Sequence, residues 1–175
     1  MIIQSEISGG IPYLKFDYGN DSSDLIFMHA NAYPPQCYIP LFEALGKKYN
    51  IICPLFRPLW KDSGNPDYIK DWTPLMNDMI CFMESFNKGN NLVFGHSLGG
   101  HVALRIAIEH EHLINKAILL DPIIFPKWQI LLWQNIQWTS LGKRLHPMIQ
   151  MSKNQRLIYK GFNQMYNRYR TKNIF

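Results

Sequence analysis

The stretch NLVFGHSLGG, Asn91 to Gly100, runs from apolar residues into a serine fenced by glycines. A serine hydroxyl is a weak nucleophile until a base can take its proton. Gly95 and Gly99 stand two residues before and two residues after Ser97. That spacing suits a tight, strained strand-to-helix turn in which the two backbones approach too closely for side chains. Ser97 is the candidate nucleophile, weighed against the common alternative of a serine that caps a helix N-terminus. His29 and His96 flank the region and read as hydrogen-bonded packing residues rather than bases. His101, on the helix after the turn, and His110 and His112, near its end, read as surface residues or partners of the helix dipole. Downstream of Ser97 the acids are Glu109, Glu111 and Asp121.

The elements that must hold this serine follow from the punctuation of the chain. PYLKFDYG, Pro12 to Gly19, alternates and closes in a turn, as a strand does. DLIFMHA and NIICPLF are short apolar runs of the kind that form strands covered on both faces. Between them, QCYIPLFEALGKKYN places Tyr38, Leu41, Phe42 and Leu45 at the spacing of an amphipathic helix. TPLMNDMICFMESF does the same with Leu75, Met76, Met79, Ile80, Met83 and Phe86, with Thr73 as its expected cap and Pro74 at the first helical position. Strand NLVFG, helix LGGHVALRIAIEH and strand NKAILLD complete the series. Strand and helix in alternation require a mostly parallel sheet with helices on its faces, an α/β class, because parallel neighbours need a crossover. His29, Arg57, Ser97 and Asp121 all fall at or just past predicted strand ends, where such sheets gather their sites.

With GHSLGG set between a strand and a helix, the chain resembles the α/β-hydrolase superfamily, specifically its esterase-like and lipase-like members, from Pro12 to about Pro126. The resemblance implies that Ser97 attacks a carbonyl carbon and forms an acyl-enzyme. It gives the backbone N–H of Leu98 half of the oxyanion hole, a donor worth roughly 3 kcal/mol of barrier. By position it gives the other half to Asn31 in HANAYPP, where Ala30 replaces the family's usual glycine, with an Asx-turn residue as the alternative role for Asn31. The turn must then form without positive φ at Ala30 or carry strain there. The family's triad order is serine, acid, histidine. Asp121 and His146 fit that order, but no strand-like run separates them, so no relay with Ser97 is expected and the acid and histidine are expected beyond residue 175. Asp121 reads instead as a cap or loop anchor.

The same resemblance implies two more strands and a terminal helix, so the chain reads as the N-terminal part of such a fold. Residues 1–125 are expected to form the core and residues 126–175 a basic, helical, lid-like segment. Trp128, Trp133 and Trp138 point to an ester or thioester with an apolar acyl group, with ordinary packing as their alternative role. KAILLD is then an edge strand from Ala117 to Leu120, inviting self-association or a complementing C-terminal part. The alternative reading is a truncated, inactive fragment or binding scaffold that lacks the triad histidine.

Bulk composition narrows the remaining classes. At 175 residues, 47% hydrophobic and 14% aromatic, the chain can bury a core of one ordinary domain and lies far from the signature of disorder. Its charge of +5 is split: net −4 as far as Asp121 and +9 beyond it, where nine basic residues meet no acid. A basic tail suits nucleic acid or an anionic membrane, yet no recognition motif accompanies it and nucleic acid is not expected as a partner. Cys37, Cys53 and Cys81 lack metal-ligand or disulfide spacing, so no metal and no other cofactor is expected. MIIQSEISGG has neither the charge nor the apolar core of a secretory signal, and Pro126 and Lys127 interrupt the apolar PIIFPKWQILLWQNIQW, so no transmembrane segment and a cytoplasmic location are expected.

Overall fold

The computed structural model describes residues 1–19, 23–31, 33–61, 71–87 and 91–125, and beyond them Trp128, Leu131, Asn135, Ile136 and Thr139. The chain divides into two compact units, Met1–Ile124 and Phe125–Phe175, and the sheet belongs to the first. Its elements run β1 (Ile2–Ser8), β2 (Ile11–Asp17), β3 (Asp24–Met28), α1 (Ile39–Leu45), β4 (Asn50–Pro54), α2 (Thr73–Asn87), β5 (Asn91–His96), α3 (Leu98–Glu109) and β6 (Ile114–Leu120). The six strands lie in the order β1-β2-β4-β3-β5-β6. β1 and β2 form an antiparallel hairpin and β2 runs antiparallel to β4. β4, β3, β5 and β6 are parallel, as the strand-helix alternation demands.

Side-chain alternation along the strands builds a core on each face. On β3, Leu25 and Phe27 join Phe42 of α1, while Ile26 and Met28 join Met79, Phe82 and Met83 of α2 and Val102 and Ile106 of α3. Phe27, wholly buried, packs its ring against Tyr38, Phe42 and Phe94 at centroid distances of 4.7, 4.9 and 5.5 Å. α1 thus covers one face and α2 and α3 the other, an α/β fold with helices on both faces.

Two elements differ from the sequence reading. β1 precedes the stretch read as structured, and six of its seven residues are exposed, so it offers no buried face for a hydrophobic pattern to record. The first helix is shorter than its apolar spacing suggests, because Pro35–Tyr38 winds as a 3-10 turn and α1 begins at Ile39 with Pro40 in its first turn. A proline ring is tolerated there and nowhere deeper in a helix. Among the described residues β6 is the edge strand of the sheet, with Ile118 40% and Leu120 45% exposed, while Ala117 and Leu119 pack on the α2 and α3 side.

Removing the central ring of the α1-side core should be expensive. Phe27→Ala is expected to lower the unfolding free energy by about 3–5 kcal/mol, read as a lower denaturation midpoint at unchanged slope in a urea titration.

Candidate active site

Ser97 occupies the one residue between β5 and α3, with φ 53° and ψ −112°. Positive φ is costly for any residue with a side chain, and the surrounding packing must enforce it. A Cβ on Gly95 would stand 2.5 Å from the Gly99 carbonyl oxygen and 2.7 Å from the Gly100 Cα. One on Gly99 would collide with the backbone carbonyls of Met28 and His29. The elbow is therefore pressed against the end of β3, and both glycines are steric requirements. Although Ser97 sits at the cap position of α3, its side chain makes no capping hydrogen bond, which removes the helix-cap explanation. Its N–H donates to the Leu120 carbonyl at 3.0 Å, and its carbonyl accepts from His101 and Ile123 N–H groups at 3.0 and 3.2 Å. Leu98 is buried and is the first residue of α3, so its N–H lies ahead of the helix's own ladder, at the positive end of the dipole.

β3 has β4 on one side and β5 on the other, and the chain leaves β3 toward α1 on one face and β5 toward α3 on the opposite face. Such a reversal of winding opens a crevice at the carboxyl ends of the two strands. The loop after β3, with Asn31 half-buried, and the Ser97 elbow sit at those ends. Among described residues other than glycine, positive φ occurs at Ser97 and Asp121, so Ala30 forms its turn without that strain.

A hydrogen-bond chain runs through this region. His29 is wholly buried; its Nε2 accepts the Phe56 N–H at 3.1 Å, so Nδ1 carries the ring proton and donates to the Ala30 carbonyl at 2.7 Å. The Ala30 carbonyl also accepts the Tyr33 N–H at 3.2 Å. The Ala30 N–H donates to the Tyr38 hydroxyl at 3.0 Å, and that hydroxyl lies 2.8 Å from His96 Nδ1. Burial pushes His29 down to about 4 and Tyr38 up to about 12, keeping both uncharged at neutral pH. Burial also lowers His96, partly opposed by the charge of Asp121. His29 and His96 are thus hydrogen-bonded interior groups, in keeping with their sequence reading. Tyr38, read there as an apolar helix position, carries polar work that its spacing did not signal.

The segment after β6 is clasped to the elbow. His101 Nδ1 donates to the Ile123 carbonyl at 2.8 Å, the same residue whose N–H bonds Ser97, and the His101 ring meets Trp72 at 4.5 Å. His101 is therefore a half-buried tie in the first turn of α3, which corrects its reading as a surface or helix-end residue. Asp121 lies exposed at the end of β6 with φ 45°, a left-handed geometry that aspartate tolerates. Arg57 is engaged by Asp78 in a two-pronged pair at 2.6 and 2.8 Å, fastening the loop after β4 to α2. His146, Trp133 and Trp138 lie outside the described residues, and Trp128 is 63% exposed. Among the described residues no cluster of metal-ligating side chains occurs, and no helix is long and apolar enough to cross a membrane.

A mostly parallel sheet covered on both faces, with a strained serine at its strand-to-helix elbow, is the α/β-hydrolase fold. The chain belongs to the family described as serine aminopeptidase, S33, whose profile matches residues 61–171 of its 175. It is 26% identical over 119 residues to a probable 1-acylglycerol-3-phosphate O-acyltransferase of Oryza sativa subsp. japonica, an alignment covering 64% of this chain and 28% of that protein. The chain thus spans little more than a quarter of that relative's length. Among solved structures it superposes on the thioesterase domain from the curacin biosynthetic pathway with TM-score 0.66 at 14% identity, covering 98% of this chain and 61% of the other. The serine hydrolase CarC of carbazole degradation gives TM-score 0.60 at 18% identity, covering 73% and 50%.

Two expectations follow from this geometry. Gly99→Ala drives a methyl group into the backbone of β3, which cannot rotate away; a loss on the order of 3 kcal/mol is expected, seen as a large fall in thermal midpoint and in soluble yield. His29 stays neutral in the folded state down to about pH 4, whereas the unfolded chain protonates it near 6.5. The unfolded state then binds the extra proton, so acid favours unfolding, and stability is lost at about 1.4 kcal/mol per pH unit as pH falls from about 6.5 to about 4. Denaturant midpoints of the wild type and His29→Gln across that window should show the steeper pH dependence in the wild type.

Proposed function

We propose that the chain performs acyl transfer through Ser97, acting on an ester or thioester with an apolar acyl group. The observation that carries the reading is the strained backbone of Ser97, at φ 53° on a strand-to-helix elbow, with its hydroxyl free of the helix cap. In this reading the Ser97 oxygen bonds to the substrate carbonyl carbon while its proton passes to a general base outside the described residues. The carbonyl oxygen takes up the negative charge against the N–H groups of Leu98 and Asn31. The Asn31 N–H suits that role because the Ala30 carbonyl of the same planar peptide is turned toward His29, which directs the N–H the opposite way. Collapse expels the alcohol or thiol and leaves the acyl group on Ser97. Water, or a second alcohol as the name of the rice relative suggests, then takes it.

His29 is unsuited to the base role, since both of its ring nitrogens are bonded. β6, with Ile118 and Leu120 exposed on one face, is where a further strand pairs in this reading, supplied by a second copy or a complementing C-terminal part. Three free cysteines, of which Cys53 is buried, favour a reducing, cytoplasmic setting.

A fluorophosphonate probe tests the proposal directly, because its phosphorus traps an activated serine. With the downstream region of a full-length relative supplied in trans, peptide mapping should find the adduct on Ser97 in the wild-type chain and none in Ser97→Ala. An unlabelled wild type, or labelling that survives the substitution, would sink the reading.

A further inference from the structure

We propose that the Tyr38 hydroxyl is a positioning group that fastens the loop carrying Asn31 to the elbow carrying Ser97, holding the two oxyanion donors at a fixed spacing. The inference rests on the acyl-transfer reading of Ser97 and goes beyond it in assigning what sets the geometry of that site.

Where the sheet ladder stops, this hydroxyl takes over. β3 and β5 are paired from Leu25 and Leu92 to Met28 and Gly95, and there the pairing ends. Beyond it, residues 29–31 depart toward α1, while His96 stays paired to Leu120 of β6 as the last residue of β5 and Ser97 turns into α3. Tyr38 spans the gap, accepting the Ala30 N–H at 3.0 Å and reaching His96 Nδ1 at 2.8 Å, one residue short of Asn31 and of Ser97 respectively.

The Ala30 N–H can only donate, so the tyrosine oxygen accepts it. The assignment gives the tyrosine proton to His96 Nδ1, the acceptor beside it at 2.8 Å, with Nδ1 unprotonated. His96 is then the neutral tautomer with its proton on Nε2. The far side of the Ala30 residue is held as firmly, its carbonyl taking His29 Nδ1–H and the Tyr33 N–H. The peptide bearing the Asn31 N–H is thus anchored at its carbonyl, and the preceding one at its N–H.

Tyr38 is itself held by close packing. It is 9% exposed, sits where the 3-10 turn meets α1, and packs its ring against Phe27 at 4.7 Å and His96 at 5.6 Å. The register of α1 therefore reaches the elbow through one hydroxyl.

The test uses the full chain, with the same downstream region supplied in trans, and compares Tyr38→Phe, which keeps the ring, with His96→Phe and His96→Asn. The asparagine side chain offers an oxygen near the place of Nδ1. Tyr38→Phe and His96→Phe are expected to slow fluorophosphonate labelling of Ser97 roughly tenfold to a hundredfold, the scale on which misplaced catalytic groups cost rate. The double Phe variant should be no slower than either single one, and His96→Asn should recover most of the rate that His96→Phe loses. Nitrogen NMR of the wild-type imidazoles should show His96 Nδ1 without a proton. Labelling of Tyr38→Phe at the wild-type rate, or a protonated Nδ1 at neutral pH, would overturn the assignment. If the wild type is not labelled at all, the acyl-transfer reading falls by itself. The tether is then decided by amide exchange at Ala30 and Asn31: faster exchange in Tyr38→Phe upholds it, and unchanged exchange refutes it.

Discussion

The rest of the site depends on one close approach, that of α3 to the ends of β3 and β5. Gly95 and Gly99 allow it by lacking side chains, and Ser97 absorbs it by adopting φ 53°. A backbone held in that region costs on the order of 1–3 kcal/mol, so it persists only where surrounding bonds overdetermine it. Here they do: the Ser97 N–H and carbonyl are both bonded to the segment around the end of β6, and the helix that follows packs Leu98, Val102 and Ile106 into the core. Stability is thereby drawn from the whole α2 and α3 face to hold one residue in a shape it would not otherwise take.

The polar interior follows from the same crowding. Bringing the loop after β3 so near the elbow removes water from His29, Tyr38 and the Ala30 peptide, and each of these groups needs a protein partner in exchange. The chain of bonds from Phe56 through His29, Ala30 and Tyr38 to His96 supplies them. Burial keeps both rings neutral, so the electrostatics and the hydrogen-bond geometry support one another.

The parts of this architecture that were legible in the sequence are those whose cause is local. Gly95 and Gly99 announce the elbow because the steric demand acts within two residues of Ser97. β3, β4 and β5 show as apolar runs because they are buried between helices. β1 left no such mark, being exposed along nearly its whole length. The polar bonds of Tyr38 and His101 are not legible for a different reason: their partners lie 58 and 22 residues away, and the spacing of apolar neighbours says nothing about where a hydroxyl or an imidazole will find a bond. The role proposed for Asn31 rests on family pattern, since HANAYPP alone carries no local signal for it.

The clasp between Ile123 and the elbow bears on how this fold can be divided. Leu120 and Ile123 supply the acceptor and donor for the main chain of Ser97, and Ile123 is held in turn by His101 and, through it, by the ring of Trp72. A chain cut at Asp121 would keep β6 and every residue of the serine motif, yet lose the bond that closes over the Ser97 carbonyl. One cut after Ile124 would keep the clasp whole, at the boundary between the two compact units. For anyone dissecting, grafting or circularly permuting this sheet, the minimal serine-bearing module therefore extends past the last strand to the short apolar tail Pro122–Ile124.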